Sequence, residues 1–156
     1  MAKTVRALGA HCTAKALYFA VAENGTIAAG GVQKVEVPDG LKTGASLAAL
    51  AAELRCRLAE IAATRAALLM PRSYRAPNLA VARLGAETLL RLIAADHGLE
   101  LELLHRATGR TRLGIGQSGS LDARIAALFP TPVGEYWADG RRYAAFAALA
   151  CEKRAN

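Results

Sequence analysis

The sequence predicts an α/β domain with a five-stranded mixed sheet: a three-stranded antiparallel meander, then two parallel strands, with helices packed on the sheet. Three observations carry this. Short apolar runs in the first part of the chain are separated by turn signals, foremost Asn24-Gly25. After Pro38-Asp39-Gly40 the apolar spacing changes from strand-like to helical. From there helices and short apolar runs alternate, as they do when strands pair in parallel through crossover helices.

Thr4 to Ala10 reads as the first strand and Ala16 to Ala22 as the second. Asn24-Gly25 fits a type I′ hairpin turn, whose two central residues need positive φ. Thr26-Ile27 opens a third strand that continues through the alternation of Val32 to Val37, with Gly30-Gly31 marking a bulge. Leu47, Leu50, Ala51, Leu54, Leu58 and Ile61 then recur at helical spacing, and Glu53 and Arg57 sit four apart on the polar side. Ala66 to Met70 suits a buried central strand that Pro71 ends. A second helix is expected from about Pro77 to His97, closed by Gly98. Leu99, Leu101 and Leu103 alternate with Glu100 and Glu102 as a fifth strand. Gly109 and Gly114 around Arg110 and Arg112 read as a mobile loop. Ser120 caps a short helix carrying Leu121, Ile125 and Leu128, and Asp139 caps a last helix with Tyr143, Phe146, Ala147 and Ala150 inward. No linker splits the 156 residues, so they are taken as one domain, 1–156.

With 53% hydrophobic residues the chain can bury a core, which excludes disorder. Its formal net charge of +7 favours a polyanionic partner. At 5% aromatics, a base-stacking platform is a poor fit. Cys12, Cys56 and Cys151 are odd in number and widely spaced, which suits free thiols in a reducing compartment. Arg6 and His11 interrupt any apolar leader, and no run approaches membrane-spanning length. A cytoplasmic protein with no membrane contact is expected.

Several short motifs fall in one colinear order. They are Leu8-Gly9-Ala10-His11-Cys12 on the first strand and Arg83-Leu84-Gly85 in the second helix. His105-Arg106 follows the fifth strand, and Gly114-Ile115-Gly116 precedes a helix. The last stretch runs Asp139-Gly140-Arg141-Arg142-Tyr143-Ala144-Ala145-Phe146-Ala147. This set resembles the RuvC-type Holliday junction resolvases of the RNase H-like superfamily. The resemblance implies an RNase H-like fold, a homodimer, and a nuclease site holding Mg²⁺ between carboxylates. Two such ions about 3.5–4 Å apart would clamp the attacking and leaving oxygens of a phosphodiester.

The carboxylates are largely absent. Carried over by position, the acid of the first strand falls on His11, that of the fourth strand on Met70, and the pair of the last helix on Asp139 and Arg142. Ala10 to Ala22 and Ala66 to Leu84 contain no acid, so a small shift of register restores none. Mg²⁺ requires hard oxygen ligands, which imidazole, thioether and guanidinium do not supply. No metal or other cofactor is therefore expected; Mg²⁺ enters only if the chain is a nuclease with an atypical site. An N-cap is the favoured role for Asp139.

His11-Cys12 is read as a structural pair, because no third member of a dyad or metal site is visible. Gly114, Gly116 and Gly119 match a dinucleotide fingerprint in spacing but not in context. The basic residues converge better. Arg72 and Arg75 follow the fourth strand, Arg106, Arg110 and Arg112 the fifth, and Arg141 and Arg142 open the last helix. In the implied fold these places share one sheet edge, which suits contact with phosphates. The expected function is a non-catalytic, RuvC-like protein that binds duplex or branched nucleic acid. The alternatives are a structural or protein-interaction module and a metal-dependent nuclease with an atypical site.

Overall fold

A computed structural model describes residues 4–73 and 80–155. Arg75 and the expected helix start at Pro77 lie outside the described residues. β1 (Arg6–Cys12) and β2 (Ala16–Glu23) form an antiparallel hairpin, with Arg6 opposite Glu23 and Cys12 opposite Leu17. Asn24 and Gly25 then turn the chain at φ 55° and 77°, as the hairpin signal requires.

The third strand is not continuous. β3 (Thr26–Ile27) pairs with the end of β2, β4 (Lys34–Glu36) pairs with its start, and the chain loops out between them. The glycine pair expected as a bulge sits in this excursion, with Gly31 at φ 83°. The break leaves backbone carbonyls that a continuous ladder would have satisfied. The guanidinium of Arg141, only 1% exposed, takes over two of them and reaches a third carbonyl outside the sheet. Its Nε donates to Phe19 O at 3.0 Å, and the two terminal nitrogens donate to Ala28 O at 2.9 Å and to Val133 O.

α1 (Gly44–Ile61) begins at a capping box, in which Thr43 and Ser46 each accept from the other's backbone N–H. It buries Leu50, Leu54, Leu58 and Ile61, and Glu53 and Arg57 form the expected ion pair at 2.7 Å. β5 (Arg65–Leu69) pairs in parallel with β1, and β6 (Leu101–Leu104) pairs in parallel with β5. Between them runs α2 (Val81–Asp96), closed by Gly98 at φ 67°. Six strands thus fill five positions, with β3 and β4 sharing the edge next to β2 and the order continuing β2-β1-β5-β6.

Strand alternation sorts the core onto two faces. Leu8, Ala10, Cys12, Leu17, Phe19, Val21, Ala66 and Leu68 pack under α1 and α2. Ala7, Ala16, Tyr18, Ala20, Ala67 and Leu69 face α5 (Arg142–Glu152) and part of α4 (Leu121–Leu128). Every residue from Ala144 to Cys151 is buried, so α5 is apolar all round, and its alanines let it lie close to the sheet. A Cβ on Gly9 would collide with the α5 backbone at Ala144 and Ala148. That approach fixes where the start of α5 stands relative to β1.

The structure departs from the sequence reading at two further places. The segment expected as a mobile loop is a helix, α3 (Arg106–Leu113), ending at Gly114 with φ 65°. Its Gly109 is buried where a Cβ would come within 2.6 Å of the Phe146 ring, so this glycine serves packing rather than mobility. Asp139 makes no side-chain cap. A π-type turn over Trp137–Arg141 leads into α5, with Gly140 at φ 160°, and Asp139 is exposed on it. Among the described residues, no helix is long and apolar enough to cross a membrane.

Candidate functional site

The parallel register gathers several strand ends at one edge of the sheet. Ala10 is level with Leu68 and Leu69 with Leu104, and Met70 N donates to Leu104 O at 2.9 Å. His11, Met70 and His105 therefore stand at the carboxyl ends of β1, β5 and β6. The start of α3 follows directly after β6, and the first residues of α5 close over β1.

His11 is 7% exposed and faces the α5 side. It lies opposite Tyr18 on β2, with ring centroids 6.5 Å apart, and against Tyr143 on α5 at 4.8 Å. Gly140 leaves room for it: a Cβ there would come within 3.2 Å of the imidazole and 2.7 Å of the Tyr18 ring. Arg106 and Arg142 lie over the Tyr143 ring, 5.5 and 4.7 Å from its centroid. Burial holds the His11 pKa down to about 3, and the charges of Arg83, Arg106 and Arg142 push in the same direction. The imidazole is therefore neutral at physiological pH, and the positive charge of the site belongs to the guanidinium groups.

The carboxylates nearest this cluster are already paired. Glu87 is 5% exposed and binds Arg83 at 2.9 Å. Asp122 accepts from the Tyr143 hydroxyl and lies 3.6 Å from Arg142. Among the described residues, no group of three His, Cys, Asp or Glu side chains could hold a metal ion. A neutral imidazole ringed by guanidiniums repels a divalent cation, so the residues at His11, Met70, Asp139 and Arg142 do not fit Mg²⁺. His11 and Cys12 point to opposite faces of the sheet and form no dyad. Burial, followed by the charge of Glu87, pushes the Cys12 thiol up to about 12.

The other basic residues divide in two. Arg110 is turned inward and donates to Gly116 O, Ser118 O and Gly119 O at 2.9–3.3 Å, pinning the loop after α3. Arg112 grips the Glu102 carboxylate with both terminal nitrogens, at 2.5 and 3.0 Å. Arg141 fills the strand break already described. The expectation that these three contact phosphate does not carry forward, because carbonyls and a carboxylate of the chain itself hold their guanidiniums. Arg72 is exposed after β5, and Arg106 opens α3 half-buried. Arg142 donates to Trp137 O at 3.4 Å and to Ala138 O, yet it remains at the edge of the cluster.

No protein-family model matches the chain, and no curated protein sequence does. Solved structures do. RuvC of Thermus thermophilus in complex with a Holliday junction substrate superposes at a TM-score of 0.67 with 13% identity, covering 93% of each chain. A structure of T. thermophilus RuvC alone gives 0.66 and 13% over 93% of this chain and 94% of the other. The yeast mitochondrial Holliday junction resolvase gives 0.62 and 14% over 96% of this chain and 78% of the other. The chain has the RuvC-type RNase H-like fold. The likeness runs over nearly the whole chain. Arg83, Glu87, Asp122 and Tyr143 were not singled out as site residues from the sequence. Arg83 and Tyr143 carried a signal, through the Arg83-Leu84-Gly85 motif and the stretch from Asp139 to Ala147. The others reach the site only through tertiary packing.

Proposed function

We propose that this chain is a non-catalytic, RuvC-like nucleic-acid-binding protein that meets the phosphates of duplex or branched DNA or RNA with its basic sheet edge. The observation that carries this reading is the pair of guanidiniums, Arg106 and Arg142, over the Tyr143 ring that packs on buried His11, where the fold's nucleases would need carboxylates. A site of this sign attracts a phosphate directly and has no use for a bridging cation. Arg72 and Arg106 are the contacts retained from the sequence reading, with Arg75 three residues after Arg72 in the chain, while Arg142 is held by Trp137 O, Ala138 O and Asp122. Similarity to a resolvase solved with a Holliday junction supports a branched duplex as the first ligand to test.

The test is fluorescence anisotropy of a labelled four-way junction and a linear duplex at two salt concentrations. Affinity is expected to fall by about tenfold or more between roughly 50 and 200 mM salt, since each neutralised phosphate releases counterions. Binding that is absent, or indifferent to salt, would remove the proposal. Incubation of the junction with Mg²⁺ or Mn²⁺ is expected to leave it intact. Metal-dependent cleavage that Asp139→Asn abolishes would overturn the non-catalytic part.

A further inference from the structure

The buried side-chain nitrogens without a hydrogen-bond partner, among the described residues, are His11 Nδ1, Arg83 Nη2 and Arg106 Nε. All three belong to the cluster at the ends of β1 and β6. A buried donor without an acceptor costs about 1–3 kcal/mol, more when charged, and Arg106 is the one of the three that opens on a cavity. Arg106 also walls a cavity of about 440 Å³, shared with Arg72, Arg110, Ser120 and Asp122. Arg72 and Arg106 line it with one carboxylate, Asp122, which already accepts from Tyr143, while the Arg110 guanidinium is held by loop carbonyls. The opening residues of α4 (Gly119, Ser120 and Leu121) form another side, with the Ser120 hydroxyl capping Ala123 N at 3.1 Å.

We infer that this cavity is a seat for a single phosphate group, held by Arg72 and Arg106. The guanidiniums thus occupy the role that metal ions have in a carboxylate-lined site: they neutralise phosphoryl oxygens, with no cation to recruit or lose. Arg106 is the pivotal residue, since it lines the cavity on one side and covers Tyr143 on the other. Burial and the charges of Arg83 and Arg72 lower its pKa, while Tyr143 and Asp122 act against them; an incoming dianion would relieve that strain of like charge. This inference rests on the reading of the basic edge as a nucleic-acid face, and it names the chemistry that face grips. The phosphate could be an internal phosphodiester or a terminal phosphomonoester.

The experiment titrates inorganic phosphate into the full chain in a non-phosphate buffer and follows the His11 imidazole by NMR, with calorimetry alongside. Saturable binding is expected at neutral pH, together with saturable shifts of the His11 ring signals. The groups facing that ring are Tyr18 from β2, Arg83 from α2, Arg106 from α3, and Arg142 and Tyr143 from α5. Arg106→Gln is expected to weaken binding by about tenfold or more, and Arg106→Lys to weaken it less. Arg72→Gln, at an exposed position that folding tolerates, is expected to weaken it in the same direction. Unsaturable shifts that are equal in wild type and Arg106→Gln would overturn the seat.

Duplexes with a 5′-phosphate or a 5′-hydroxyl separate the sources: a preference for the phosphorylated end assigns a terminal phosphate, and equal binding assigns the backbone. If DNA binds with salt dependence but phosphate never saturates, the seat falls and the proposed function stands. If phosphate saturates but DNA does not bind, the function falls and the seat remains as one for small phosphates.

Discussion

Acidification from pH 6 to pH 4 removes stability through His11, and the size of that loss follows from its surroundings. The folded chain holds the imidazole pKa at about 3 against an ordinary value of 6.5, chiefly because the ring is buried and then because Arg83, Arg106 and Arg142 oppose a further positive charge. Above 6.5 the ring is neutral in both the folded and the unfolded chain and contributes no pH dependence. Below 6.5 the unfolded chain takes up the proton and the folded chain does not. Stability therefore falls with falling pH, approaching about 1.4 kcal/mol per unit until the folded-state pKa is reached. Between pH 6 and pH 4 this amounts to about 2–3 kcal/mol from one residue. The assay is urea unfolding at half-unit pH steps for the wild type and for His11→Gln, which cannot titrate. The difference between the two curves isolates the imidazole, because every other group is common to both. A difference that stays flat across this window, or an NMR titration of His11 near 6.5, would refute the account of a buried, cation-ringed imidazole.

Three further outcomes follow from the packing. Gly9→Ala should destabilise the chain by about 3 kcal/mol or more, seen as a lowered urea midpoint, because its methyl meets the backbone of α5, which cannot rotate away as a side chain would. Arg141→Met should cost about 3 kcal/mol by leaving carbonyls of Phe19, Ala28 and Val133 without their donor, and hydrogen exchange should rise first in β3 and β4. Millimolar Mg²⁺ should produce no saturable heat in calorimetry and no shift in unfolding midpoint, since a ligand bound only by the folded state would raise it.

Much of the fold was legible because period and punctuation agreed with tertiary structure. Asn24-Gly25 made its hairpin, and the leucines of α1 reached the core. The strand ends landed where colinear motifs had placed them. The failures have definite causes. Arg106 to Leu113 carries a glycine and few apolar residues, so it looked like a loop. What makes it a helix is its seat against Phe146, a residue far along the chain. Asp139 had the right residue type for a cap, but the turn through Gly140 places the helix start two residues later. The candidate site was read from the sequence as a lack of acids and an excess of arginines. Which arginines remain turned to the edge was not legible. Arg110, Arg112 and Arg141 look the same in sequence as Arg72 and Arg106, and only the positions of distant carbonyls and of Glu102 separate them.

The placement of α5 also constrains how the chain can reach this state. Its alanine face seals β1, β2 and β5, which leave the ribosome long before it does. Until residues 144–151 arrive, one side of the first hairpin has nothing to cover it, and the edge interrupted at Ala28 lacks Arg141. Such late, long-range closure makes folding slow relative to local helix formation and leaves the nascent sheet open to wrong partners. A ribosome stalled before this helix emerges should therefore hold a chain that proteases still cut within its first two strands.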